Sequence, residues 1–159
     1  ILYSGVGKVN AAINLMAALK ETKPDLLINY GTAGAIKTGL GQIVEVGQSV
    51  QCDMDARPLG IALGATPFET GTERFTLSDS PLICGTADRF VTSAPELSCD
   101  LVDMELYALA KIAKREQIPL KSFKFISDYA DDSSKEDWEN SLPDAASNFL
   151  RIQDELLSL

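Results

Sequence analysis

The sequence predicts an α/β fold built on a parallel sheet, and three observations carry that prediction. A glycine turn, Ser4-Gly5-Val6-Gly7, opens into an amphipathic helix at residues 9–20, and residues 25–30 then form an apolar run of strand length. Strand, helix and buried strand in that order make a β-α-β unit, whose strands lie parallel. A further apolar strand at 120–127 leads onto a carboxylate, Asp128, with Asp131 and Asp132 just beyond it. Open α/β sheets bind ligands outside the carboxyl ends of their strands, so chemistry is expected there.

The elements follow in order. Residues 1–3, Ile-Leu-Tyr, read as the end of a strand, and because the chain opens in mid-element on Ile rather than Met, an upstream segment is expected to be missing. Helix 9–20 places Val9, Ala12, Ile13, Met16 and Leu19 on one face. The turn before it has Asn10 where a dinucleotide fingerprint needs its third glycine. A Walker loop would need glycine at Leu2 and a hydroxyl residue at Val9. What remains is a strand-turn-helix whose free N–H groups can face a ligand. A second glycine turn, Gly31-Thr32-Ala33-Gly34-Ala35, lets a backbone approach a ligand closely and adds the Thr32 hydroxyl; the same run also reads as a tight strand exit.

Ile43, Val44, Val46 and Val50 mark one or two short strands within 43–52. Residues 53–68 read as a loop, broken by Pro58, Gly60, Gly64 and Pro67 yet carrying Leu59, Ile61, Leu63 and Phe68, so its apolar side chains need cover from a partner subunit or from the chain's own core. A brief strand at 82–84 leads into a third small-residue turn, 85–91, which carries Phe90. Residues 103–117 then make a helix with Leu106, Leu109, Ala110 and Ala113 inward and with Asp103 and Glu105 in its first turn, where the dipole favours negative charge. Pro119 precedes the strand at 120–127, and a last amphipathic helix at 145–157 has Phe149, Ile152 and Leu156 on one stripe.

Composition narrows the function. A chain of 159 residues with 45% hydrophobic content buries a core and makes a single domain, 1–159. It has no long apolar run and no signal-like start, which speaks against membrane spanning and secretion. Cys52, Cys84 and Cys99 have no paired spacing and read as reduced thiols of a cytoplasmic protein. The absence of histidine removes Ser-His-Asp and Cys-His nucleophiles and the usual zinc sites. The net charge of −9 is uneven: residues 128–159 hold nine acidic and two basic side chains, so that segment carries −7 and the rest of the chain −2. Such a surface repels phosphate backbones, so nucleic-acid binding is disfavoured and the acidic tail reads as a solvated helix face.

Without histidine, acid–base chemistry falls to carboxylates, lysines or water. A carboxyl partly buried at a strand end with like charges nearby has its ionised form disfavoured, which suits a general acid, and Asp128 occupies that setting. The plainer reading is a helix start capped by Asp128 or Asp131. A calcium loop through Asp128, Asp132 and Glu139 fails on Ala130 at its third position and on Ser133 where its tight turn wants glycine.

Four segments in order, 4–12 (SGVGKVNAA), 29–35 (NYGTAGA), 102–105 (VDME) and 126–128 (ISD), resemble the purine nucleoside phosphorylase and nucleosidase superfamily. The likeness is strongest to its methylthioadenosine/S-adenosylhomocysteine nucleosidase branch and runs from Ser4 to about Trp138. It implies an α/β fold with a mixed, partly barrel-like central sheet flanked by helices, lacking here its N-terminal strand. It implies Asp128 as the acid that protonates the leaving purine at N7, Glu105 as acceptor of the ribose hydroxyls and Met104 beneath the sugar. Phe90 and Val91 would hold the base, Thr32 would lie near sugar and nucleophile, and Ser127 belongs to the same motif. Leu59, Ile61 and Pro67 would reach across a homodimer to cover the 5′ substituent. No cofactor and no metal is implied.

Phosphorylases of the superfamily resemble one another in an Arg two residues before the second glycine turn; here that residue is Asn29, and a neutral amide does not replace a bidentate cation. Water is therefore the expected nucleophile and a purine nucleoside the expected small-molecule partner. A phosphate-dependent phosphorylase and a non-catalytic nucleoside-binding or storage protein are the alternatives. The chain departs from the pattern at Lys124, where relatives carry Arg, and its connections before Phe90 and Asp103 are shorter. The water-activating Glu of relatives falls upstream of Ile1.

Overall fold

The computed structural model describes residues 1–131 and 133–157. Three α-helices flank one curled, half-barrel sheet of seven strands in the order β2-β7-β1-β6-β5-β3-β4. The strands are β1 (Leu27–Ala35), β2 (Ile43–Val46), β3 (Gln48–Gln51), β4 (Phe75–Thr76), β5 (Ile83–Thr86), β6 (Leu101–Asp103) and β7 (Leu120–Asp128). The helices are α1 (Lys8–Glu21), α2 (Leu106–Glu116) and α3 (Ser134–Leu157). The sheet is mixed rather than parallel throughout: β1 and β7, β3 and β5, and β5 and β6 pair parallel, whereas β1 and β6, β2 and β7, and β3 and β4 pair antiparallel.

Several local expectations change. Residues 1–3 are not strand. On α1 the buried side chains are Ala11 and Leu15, while Val9 and Ile13 face outward, so the apolar stripe is wider than the contact that α1 makes with α2. The second glycine run is not a turn: β1 continues through Gly31 to Ala35, because its small residues pair with β7 and then, at Gly34 and Ala35, with β6. Gly47 divides 43–52 into two strands, and a side chain there would collide with the Ser80 carbonyl.

The region around Asp103 differs most. Residues 101–103 form strand β6, and α2 begins only at Leu106, so Asp103 ends a strand and Glu105 occupies the N-cap position instead of the first helical turn. Helix α3 starts at Ser134, eleven residues before the expected 145, and runs through Pro143. Neither Asp128 nor Asp131 caps α3: the Asp131 carboxylate accepts the Ser133 N–H at 2.9 Å and the Ser133 hydroxyl at 2.7 Å in a turn ahead of the helix, and Asp132 lies outside the described residues. The Tyr30 hydroxyl donates to the Ala145 carbonyl at 3.0 Å, and with the Tyr30–Phe149 ring pair it fastens α3 to β1.

The main core joins Leu15 of α1, Val46, Cys84 and Leu101 of the sheet, and Leu106, Leu109 and Ala110 of α2. Each large aliphatic side chain buried there contributes about 1.5–3 kcal/mol. That core holds β6 and β7 on either side of β1, and the site forms where these three strands come together. Among the described residues no helix is long and apolar enough to cross a membrane.

Candidate functional site

A cavity of about 280 Å³ opens beside β1, β6 and β7, and its walls include Thr32, Phe90, Val91, Met104, Glu105, Ser127 and Asp128. All seven residues singled out for catalysis or substrate contact thus share one space. Leu59, Ile61 and Pro67 do not line it, and Leu59 is exposed on the surface.

Asp128 owes its place to a slip in the ladder. The β1–β7 register shifts between Ala33 and Gly34: Ala33 faces Ile126, Gly34 faces Asp128, and Ser127 is the extra residue between them. Such an irregularity re-aims a side chain. Gly34 also makes the room, since a Cβ there would stand 2.6 Å from Asp128 Oδ1. The Ser127 hydroxyl donates to Oδ2 at 2.7 Å and the Ala130 N–H donates to Oδ1 at 2.9 Å, which holds the buried carboxyl in one orientation.

Glu105 is reached from the other end of the chain. The Gly7 N–H, in the first glycine turn, donates to its Oε1 at 2.7 Å. Burial and the nearby Asp103 charge push the Glu105 carboxyl above its usual range, against the pull of that hydrogen bond. Asp103, in turn, accepts from Lys124 Nζ at 2.7 Å, from the Thr86 hydroxyl at 2.6 Å and from the Leu106 N–H at 2.9 Å. Burial is the largest single influence on the Lys124 ammonium and pulls it down, yet the Asp103 charge and hydrogen bond, together with the neighbouring Cys84 and Glu105, raise the lysine above its ordinary value. Lys124 and Asp103 form a closed pair in the cavity wall.

A second network lies nearer the surface. Lys8 Nζ donates to Asp53 Oδ1 at 2.5 Å, the Lys8 N–H to Asp88 Oδ1 at 2.7 Å, and the Asp88 N–H to Asp53 Oδ2 at 2.7 Å. It ties the end of the first glycine turn to the segment that carries Phe90. Sequence reading missed this network, and it missed Trp138. The indole, in the first turns of α3, lines the cavity, meets Phe90 edge-on at 6.4 Å and donates to the Thr32 hydroxyl at 3.1 Å. The acidic residues around Trp138 hid it, but as the chain's single tryptophan it was the signal available. Among the described residues no group of three or more His, Cys, Asp or Glu side chains is placed to hold a metal ion.

The family model described as the phosphorylase superfamily matches residues 1–80 and 72–158. The 5′-methylthioadenosine/S-adenosylhomocysteine nucleosidase of Haemophilus ducreyi is 31% identical, covering 92% of this chain and 74% of the relative. That of Hydrogenovibrio crunogenus is 32% identical, covering 99% and 79%, over an alignment of 188 positions. This alignment is longer than the 159-residue chain, so the relative carries internal segments that this chain lacks. Among solved structures, the Neisseria meningitidis nucleosidase of the same name, in complex with methylthio-immucillin-A, superposes with a TM-score of 0.85 at 27% identity over 98% of this chain and 79% of that one. The chain belongs to the phosphorylase superfamily, on the branch of its methylthioadenosine/S-adenosylhomocysteine nucleosidases.

Proposed function

We propose that this protein is a purine nucleosidase that hydrolyses the N-ribosidic bond of methylthioadenosine, adenosylhomocysteine or a similar purine nucleoside. The observation that carries the reading is the meeting of Asp128 and Glu105 in one cavity, with Phe90 and Met104 in the same walls.

N-ribosyl cleavage develops positive charge on the sugar and negative charge on the departing base, so the two carboxyls answer the two needs. Asp128 gives its proton to N7 of the purine as the C1′–N9 bond breaks and its electron pair leaves with the base. The Ser127 hydroxyl and the Ala130 N–H then stabilise the carboxylate left behind. Glu105, held by Gly7, accepts the ribose hydroxyls, and Met104 lies beneath the ring. Phe90 and Val91 hold the base. A water oxygen bonds to C1′ and its surplus proton passes to solvent, from which the Asp128 carboxylate is reprotonated, giving free base and a ribose derivative.

Asn29 supports water over phosphate. Asn29 is among the residues that line the cavity, at the position where a phosphorylase needs a cation, and its side-chain amide oxygen accepts from the Ser122 hydroxyl at 2.9 Å. On the same reading the protein is a cytoplasmic homodimer, in which a second copy covers Leu59, Ile61 and Pro67; the exposed Leu59, Val6 and Val9 support an interface.

Chromatography of a nucleoside panel incubated with the protein, with and without inorganic phosphate, tests the reaction. The expected products are free adenine and an unphosphorylated sugar in both arms. Strict phosphate dependence, or tight binding of adenine with no cleavage of any nucleoside, would overturn it.

A further inference from the structure

The indole N–H of Trp138 is a donor only, and it donates to Thr32 Oγ1 at 3.1 Å. A threonine hydroxyl has one hydrogen to give. With one lone pair occupied by the indole, that hydrogen is left to point elsewhere, and among the described residues it has no acceptor. Both side chains line the cavity, and the indole is steadied by its edge-on contact with Phe90, at 76° between the ring planes.

We infer that Trp138 is a positioning residue that makes Thr32 a hydrogen-bond donor to the oxygen of the attacking water. The inference rests on the nucleosidase reading. In that reaction the ribose hydroxyls are donors to Glu105, so the incoming water is the oxygen that still needs a fixed donor in a wall where Asn29 replaces a cation. A water that accepts from Thr32 through one lone pair keeps the other for C1′. Trp138 does not touch the reacting atoms; it acts through Thr32, so it governs turnover rather than substrate affinity.

Trp138→Phe keeps an aromatic ring against Phe90 and removes the N–H. It is expected to lower kcat about tenfold, the worth of one neutral hydrogen bond, with KM within about twofold. Thr32→Val should cost at least as much, and Trp138→Phe added to Thr32→Val should cost nothing further. An unchanged kcat in Trp138→Phe, a rise confined to KM, or an equal loss from Trp138→Phe in the Thr32→Val background would each overturn the inference.

The hydrogen bond itself is read without turnover. A chain with one tryptophan gives one indole N–H cross-peak in a ¹⁵N-labelled sample. That peak should shift in Thr32→Val and stay close to its wild-type position in Thr32→Ser; an unmoved peak in Thr32→Val would contradict the geometry. If the wild type cleaves no nucleoside while the peak behaves as expected, it is the nucleosidase reading that has failed and not the hydrogen bond.

Discussion

Lys124 and Lys8 each hold an aspartate at hydrogen-bond distance, Asp103 at 2.7 Å and Asp53 at 2.5 Å, but their surroundings differ. The first pair is sealed from solvent, with side-chain exposures of 1% and 0%; the second sits nearer the surface with 15% and 23%. Distance is therefore a poor guide to what each pair does. In the buried pair the cost of desolvation is large, so the attraction mainly offsets burial and the pair serves to hold β6 and β7 in one arrangement beside the cavity. In the outer pair water screens the charges, and the network's effect is to hold a loop in place.

Removing one charge from the buried pair should show the contrast at its widest. Lys124→Met leaves Asp103 buried and uncompensated and should destabilise the fold by about 3–5 kcal/mol, read from the urea midpoint. Adding Asp103→Asn should restore part of that loss. If Lys124→Met is as stable as wild type, the buried pair is not what holds the strands.

Glu105 connects to both networks, through the Asp103 charge on one side and the glycine turn on the other. Its folded pKa is raised, so its contribution to stability is present below the unfolded carboxylate pKa and lost as pH rises through the folded value. Glu105→Gln should therefore be no less stable than wild type at neutral pH. Its catalytic efficiency should still fall about 10- to 100-fold through lost charged hydrogen bonds to the sugar. A large drop in thermal stability at neutral pH would count against this role for Glu105.

The outer pair should respond least. Lys8→Ala should cost less than about 1 kcal/mol, and the difference from wild type should shrink further as salt is raised. A loss comparable to that of Lys124→Met would erase the distinction between the two pairs.

The parts of the molecule legible in the sequence were those with a local signal. Periodicity located α1 and α2, the apolar run at 120–127 located β7, and the family resemblance named the seven residues that share the cavity. Non-local pairing was not legible. Gly31 to Ala35 read as a turn because glycine and alanine carry no strand signal, and only the β7 and β6 neighbours make that run a strand. Asp103 read as a helix-start acid because its partners, Thr86 and Lys124, are distant in sequence. Trp138 was lost in a stretch whose charge pattern suggested solvent, since nothing local tells of Thr32 or Phe90 across the cavity.

If Asp128 supplies the proton that lets the base depart, its removal must slow the bond-breaking step itself. Adenine release from methylthioadenosine, followed by chromatography for wild type and Asp128→Asn side by side, reads that step. The variant should bind the nucleoside but release adenine about 10²- to 10⁴-fold more slowly. Release at the wild-type rate would contradict the assignment.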